Sequence, residues 1–128
     1  MKTLVKDLSI SSDGRVDKIT FAKNDGHLAF STRVLGENDP IWVGETKGTK
    51  KLGKSIVEIL LTDVELDSNL RDKFDSERTL HAGTNLIKSI YIGFPPDDSL
   101  VAFYFGLNSK TKTEYLHGDT SFTIIFRN

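Results

Sequence analysis

Leu86-Ile87-Lys88-Ser89-Ile90-Tyr91-Ile92-Gly93-Phe94-Pro95-Pro96-Asp97-Asp98-Ser99-Leu100-Val101-Ala102-Phe103-Tyr104-Phe105 places two apolar runs on either side of a Pro-Pro-Asp-Asp break. Proline has no N–H to give a β-ladder, so the break separates two strands. In the first run Leu86, Lys88, Ile90, Ile92 and Phe94 fall on one side of a two-residue repeat. In the second, Val101, Phe103 and Phe105 alternate with Ala102 and Tyr104, apolar on both sides, which reads as a strand covered on both faces.

The same period extends outward from this stretch. Leu28, Phe30, Thr32 and Val34 alternate with Ala29, Ser31 and Arg33. Phe122, Ile124 and Phe126 alternate with Thr123, Ile125 and Arg127, and a one-residue slip would turn a charged side chain inward. Weaker strands are predicted at 4–10, 16–21, 40–43, 55–61 and 79–82. Glycines 14, 26, 36, 44, 53, 83, 93, 106 and 118 punctuate the runs. Turn signals every ~8–12 residues between short strands are the mark of an all-β sandwich or barrel.

The prediction is therefore all-β: one domain over residues 1–128, an antiparallel β-sandwich (jelly-roll-like) or flattened barrel of roughly eight to ten strands. Asp13-Gly14 and Asp25-Gly26 are hairpin-type dipeptides that predict a hairpin series through 4–10, 16–21 and 28–34. Thr62 and Glu65 have capping-box spacing, and Leu66, Leu70 and Phe74 recur four apart, so one short helix is expected within 63–74.

Composition narrows the function classes. The 128 residues carry 17 Lys plus Arg against 18 Asp plus Glu, a net charge of −1, without the basic excess usual for nucleic-acid binding. Cysteine is absent, which removes thiol nucleophiles, thiolate metal sites and disulfides. That suits the cytosol. The opening Met1-Lys2-Thr3-Leu4-Val5-Lys6-Asp7 lacks a signal-peptide core, and no run is long enough for an apolar membrane helix.

One catalytic-looking motif stands out. Gly48-Thr49-Lys50-Lys51-Leu52-Gly53-Lys54-Ser55 matches G-x-x-x-x-G-K-[ST], whose backbone N–H groups, Lys and Ser hold phosphates and Mg²⁺ when the loop opens a helix. A chain dominated by strands lacks the repeated strand–helix crossovers such a site needs. Lys47, Lys50, Lys51 and Lys54 nevertheless form a local basic patch suited to an anionic group.

Metal readings are weaker. Asp63, Glu65, Asp67 and Asn69 lie at alternate positions that would suit Ca²⁺, but Ser68 and Phe74 stand where an EF-hand requires Gly and Glu. His27, His81 and His117 each sit at or near a turn glycine with no short-range His pair. No metal or cofactor is expected. The adjacent Asp97 and Asp98 would point to opposite faces of a strand, which does not suit an acid/base pair.

Trp42, the only tryptophan, lies between the polar loop Gly36-Glu37-Asn38-Asp39-Pro40 and the basic glycine-rich loop. Indole stacking with flanking amide, carboxylate and ammonium groups suits a sugar or peptide, so Glu37, Asn38, Asp39, Trp42, Lys47 and Lys50 are the candidate ligand-binding residues. The expected function is a non-catalytic recognition or assembly module for a carbohydrate, peptide or protein partner, acting through loops or a sheet face. The alternative is a phosphate- or nucleotide-handling enzyme built on the 48–55 stretch. Edge strands leave a homo-oligomer open.

Overall fold

The structure, a computed structural model, describes residues 2–128. Met1 of the N-terminal stretch read above lies outside them. Asp13 makes the first turn: its carboxylate accepts from the backbone N–H of Arg15 (3.0 Å) and Val16 (2.8 Å). These two bonds hold its carboxyl below the usual carboxylate range. Gly14 takes the positive φ (93°) that closes the turn. The hairpin joins β1 (Thr3–Ser12) to β2 (Val16–Lys23).

The second Asp-Gly turn does something different from the expected hairpin. The chain leaves one sheet there, and β3 (Ala29–Gly36) pairs with β6 (Ser55–Thr62) in the opposite layer. The free edge of β2 is taken by the C-terminal strand β12 (Ser121–Arg127), so β3 has no place beside it. The crossing is pinned by Lys23, which is buried at the end of β2 and donates to the carbonyls of Gly26 (2.6 Å) and Asp119 (2.8 Å). A buried ammonium requires such acceptors.

Two five-stranded sheets result. With β7 (Val64–Leu66) and β11 (Lys112–His117), the first sheet, A, runs β11-β12-β2-β1-β7. With β8 (Thr79–Leu80), β9 (Ile87–Gly93) and β10 (Leu100–Leu107), the second, B, runs β3-β6-β10-β9-β8. A hairpin of β4 (Ile41–Val43) and β5 (Thr46–Gly48) forms a separate ribbon. Every pairing is antiparallel except β1 with β7, so the sandwich is antiparallel but for that edge. The strand total exceeds the sequence reading because β5 and β7 are three residues long and β11 presents only Thr113 and Tyr115 as a half-buried face.

The core lies between the sheets. Phe122, Ile124 and Phe126 are fully buried as predicted, and Phe126 meets Phe105 across the gap at 5.5 Å between ring centroids. Phe21 of sheet A packs edge-on to Phe103 of sheet B at 4.9 Å. Asp17 is buried beside this core and accepts from Ser12 Oγ (2.5 Å), Thr84 Oγ1 (2.5 Å) and the N–H groups of Leu86 and Ile87 (3.0 and 3.3 Å). That satisfies its oxygens and ties the 84–87 turn to sheet A.

The helix falls inside the expected window but shorter and later. It is α1 (Ser68–Arg71), capped by Asp67, whose carboxylate accepts from the Asn69 N–H at 2.9 Å. Thr62 closes β6 instead of capping, because residues 64–66 add a strand to β1. The two-residue repeat of 86–94 also shifts phase. Gly106 faces Ser89 and Leu107 faces Ile87, leaving Lys88 as the extra residue of a β-bulge. Ile87, Ile90 and Ile92 then share the inner face, and Lys88 is pushed out to solvent.

Candidate functional site

Sheet B has a second apolar face. On its outer side Ile56, Ala102, Tyr104 and Tyr91 are buried under Ile41 and Leu52, with Leu35, Trp42, Val43 and Leu60 packed around them. Residues 36–55 thus fold back as a cap on the sheet. Close approach is possible because the strands beneath carry glycine where the cap backbone touches. A Cβ on Gly106 would meet the Leu52 carbonyl oxygen at 2.2 Å, and one on Gly93 would meet that of Trp42 at 2.5 Å. Ser89 Oγ donates to the Leu52 carbonyl (2.9 Å), and the Trp42 N–H donates to the Tyr104 hydroxyl (3.0 Å).

At the edge of the cap the exposed Arg33 pairs with the buried Glu58. The Arg33 guanidinium grips Glu58 through both carboxylate oxygens, at 2.8 and 3.2 Å. Burial would push the Glu58 carboxyl up, but hydrogen bonds from Arg33 and Tyr104 outweigh it and hold the group below its ordinary value. Burial also pushes the Tyr104 hydroxyl well above the usual tyrosine range, which keeps it neutral.

The six candidate residues all lie on this cap, and five of them are divided among three concavities, none of which Trp42 lines. Asp39 and Lys47 share a groove of about 490 Å³ with Arg33, Leu35 and Pro40. Lys47 Nζ also sits 4.7 Å above the half-buried Trp42 ring, so the indole face is occupied by a cation. Lys50 lies over Tyr91, also at 4.7 Å, in a groove with Gly44, Glu77 and Arg78. Glu37 and Asn38 border a cleft of about 390 Å³ with Lys51, Gly53, Lys54, Lys88 and Asn108. Arg33, Lys88 and Asn108 were not among the sequence candidates. The only signal for Lys88 was a charge inside an otherwise apolar run.

The 48–55 stretch has a geometry unlike a phosphate loop. It opens strand β6, not a helix, and Ser55 is buried, on the side of that strand shared with the core residues Val57 and Ile59. The Lys54 N–H is spent on the Leu107 carbonyl (2.8 Å), and Leu52 is a core side chain. The Leu52 N–H is likewise spent, on the Lys50 carbonyl at 3.0 Å.

The remaining candidates are scattered. Asp63 is an exposed turn residue at positive φ, Glu65 is exposed on β7, and Asp67 is the helix cap. His27 and His117 do come together, with parallel rings 5.9 Å apart, whereas His81 lies by Asp75 at 3.8 Å. Among the described residues no three His, Asp or Glu side chains gather as a metal site. Asp97 accepts from the Ser99 N–H and hydroxyl (2.9 and 2.8 Å), closing the turn before β10. Among them, too, no helix is long and apolar enough to cross a membrane.

The architecture defines a class, an all-β sandwich with one capped outer face. No protein-family model and no curated protein matches the chain.

Proposed function

We propose that the protein is a non-catalytic recognition module that holds a carbohydrate, peptide or protein partner on the cap over sheet B. The observation that carries this reading is the division of labour within residues 36–55. Ile41 and Leu52 are spent on anchoring, while Glu37, Asn38, Asp39 and Lys47 stay exposed on a support fixed by backbone contact. Rigid display of varied polar groups is how a scaffold gains affinity at low ordering cost. A partner stacking on Trp42 would displace the Lys47 ammonium, so a ligand that brings its own anion gains both contacts. The test is a glycan and peptide array read with wild type and a Trp42→Ala, Lys47→Gln double variant. Hits lost in the double variant support the reading; hits unchanged by it overturn it.

An assembly role rests on a separate observation. β3 is paired on one side only, over eight residues without a bulge, and Val34 on it is 70% exposed. At the opposite side of the sandwich the edge strands β7 and β8 are three and two residues long. A second copy adding its own β3 antiparallel, with Thr32 facing Thr32, would set Val34 over Phe30 and keep the two Arg33 side chains from facing each other. Light scattering that finds a dimer in wild type and a monomer in Val34→Lys supports this; a wild-type monomer at high concentration excludes it.

A further inference from the structure

The lysine cleft beside the cap carries a more specific reading, one that rests on the cap being the binding surface. We infer that Lys51, Lys54 and Lys88, with Asn38, form a site for a phosphate monoester or pyrophosphate group.

Three observations converge. First, the charges are unspent. Among the described residues, none of the three ammonium groups forms an ion pair or donates a hydrogen bond to a protein acceptor. Three lysines against the single carboxylate of Glu37 leave the lining two charges positive, which matches a phosphate monoester dianion at neutral pH. A sulfate ester, with one charge, matches less well.

Second, the lysines come from different elements and are aimed by the backbone. Lys88 is the bulged residue of β9, and without that bulge it would lie on the inner face of the sheet. Lys54 is fixed by its own N–H on the Leu107 carbonyl, and Gly53 lies so close that a Cβ there would meet that carbonyl oxygen at 2.5 Å. The floor is therefore held in place before any ligand arrives. Such preorganisation lowers the ordering cost of binding.

Third, the chemistry is right for lysine. Ammonium groups act as point charges with three donors each and surround a compact tetrahedral anion without needing a planar fork. The site uses side chains where a phosphate loop uses backbone N–H groups. It also has no hydroxyl for Mg²⁺, because Ser55 is buried.

The experiment is an amide chemical-shift titration of the full chain with sodium phenyl phosphate, a monoester dianion, at constant ionic strength and without divalent metal, with sodium phenyl sulfate, its singly charged counterpart, as the comparison arm. Saturable shifts at residues 38, 51–54, 88 and 108, stronger for phenyl phosphate than for phenyl sulfate, are expected. Lys54→Gln and Lys88→Gln should each weaken binding about five- to tenfold, as loss of one charged hydrogen bond implies. Lys18→Gln, on the outer face of sheet A, should leave it unchanged. Unchanged spectra elsewhere confirm that each variant is folded. Equal affinity in all variants, equal response to phenyl sulfate, or no saturable shift overturns the phosphate site. Those outcomes leave the array result on Trp42 and Lys47 standing, so failure of this site is distinguishable from failure of the cap.

Discussion

The outer faces of the two sheets behave oppositely. Sheet B is covered: Tyr91, Ala102 and Tyr104 are buried beneath the cap, so β10 is apolar on both sides. Sheet A is bare: Lys18 is exposed, Thr20 and Thr123 meet at 3.2 Å, Arg127 pairs with Glu114 at 3.0 Å, and Leu116 is 53% exposed. The difference teaches where sequence variety is free to serve a partner. A bare polar face is a solvated surface; a cap that anchors itself by a few apolar residues can spend the rest on recognition.

The largest effect should come from the core that both sheets share. Phe126→Ala removes a buried ring packed on Phe105 and should cost ~3–5 kcal/mol in chemical denaturation. Next is the anchor of the cap. Leu52→Ala should cost ~2–5 kcal/mol, with an earlier, red-shifted change in Trp42 emission as the cap loosens before the sandwich unfolds. Phe126→Ala should instead move the Trp42 signal and the global transition together.

Acid should separate the faces further. The Glu58 carboxyl is held below its ordinary value in the folded chain, so its contribution is complete above the unfolded value and is lost as pH falls through the folded one. Trp42 emission should therefore change as pH drops below about 4, and Glu58→Gln should flatten that response. Coincidence of the Trp42 change with global acid unfolding in both proteins would show that Arg33 and Glu58 do not hold the cap. The smallest effect belongs to the bare face, where Leu116→Ser should stay within ~0.5 kcal/mol of wild type by thermal melting.

The contrast between faces also explains what was legible in the chain. On the C-terminal strand of sheet A, Phe122, Ile124 and Phe126 fall on one side of a two-residue repeat whose other side carries Thr123 and Arg127, so the core residues could be named directly, although Ile125 on that other side is buried as well. Val101 to Phe105 announced double burial, but nothing in it said that residues 36–55 supply the cover. Cover depends on long-range glycine contacts at Gly93 and Gly106, which local pattern does not encode. The strand switch after Asp25-Gly26 was hidden for the same reason: a turn dipeptide fixes a turn, while the competitor for the edge of β2 lies at the C-terminus. Of the site, the loops around Trp42 were readable from residue type. The β-bulge that turns Lys88 outward was not, since a charged residue in a strand looks the same with or without it.

The most direct measurement is a map of amide chemical shifts on the full chain with an array-identified ligand. Perturbations confined to residues 36–55, with Arg33, Lys88 and Asn108 at the margins, are predicted. Perturbations centred on Lys18, Thr20, Leu116 and Thr123, with the cap silent, would place recognition on the bare face and contradict the account.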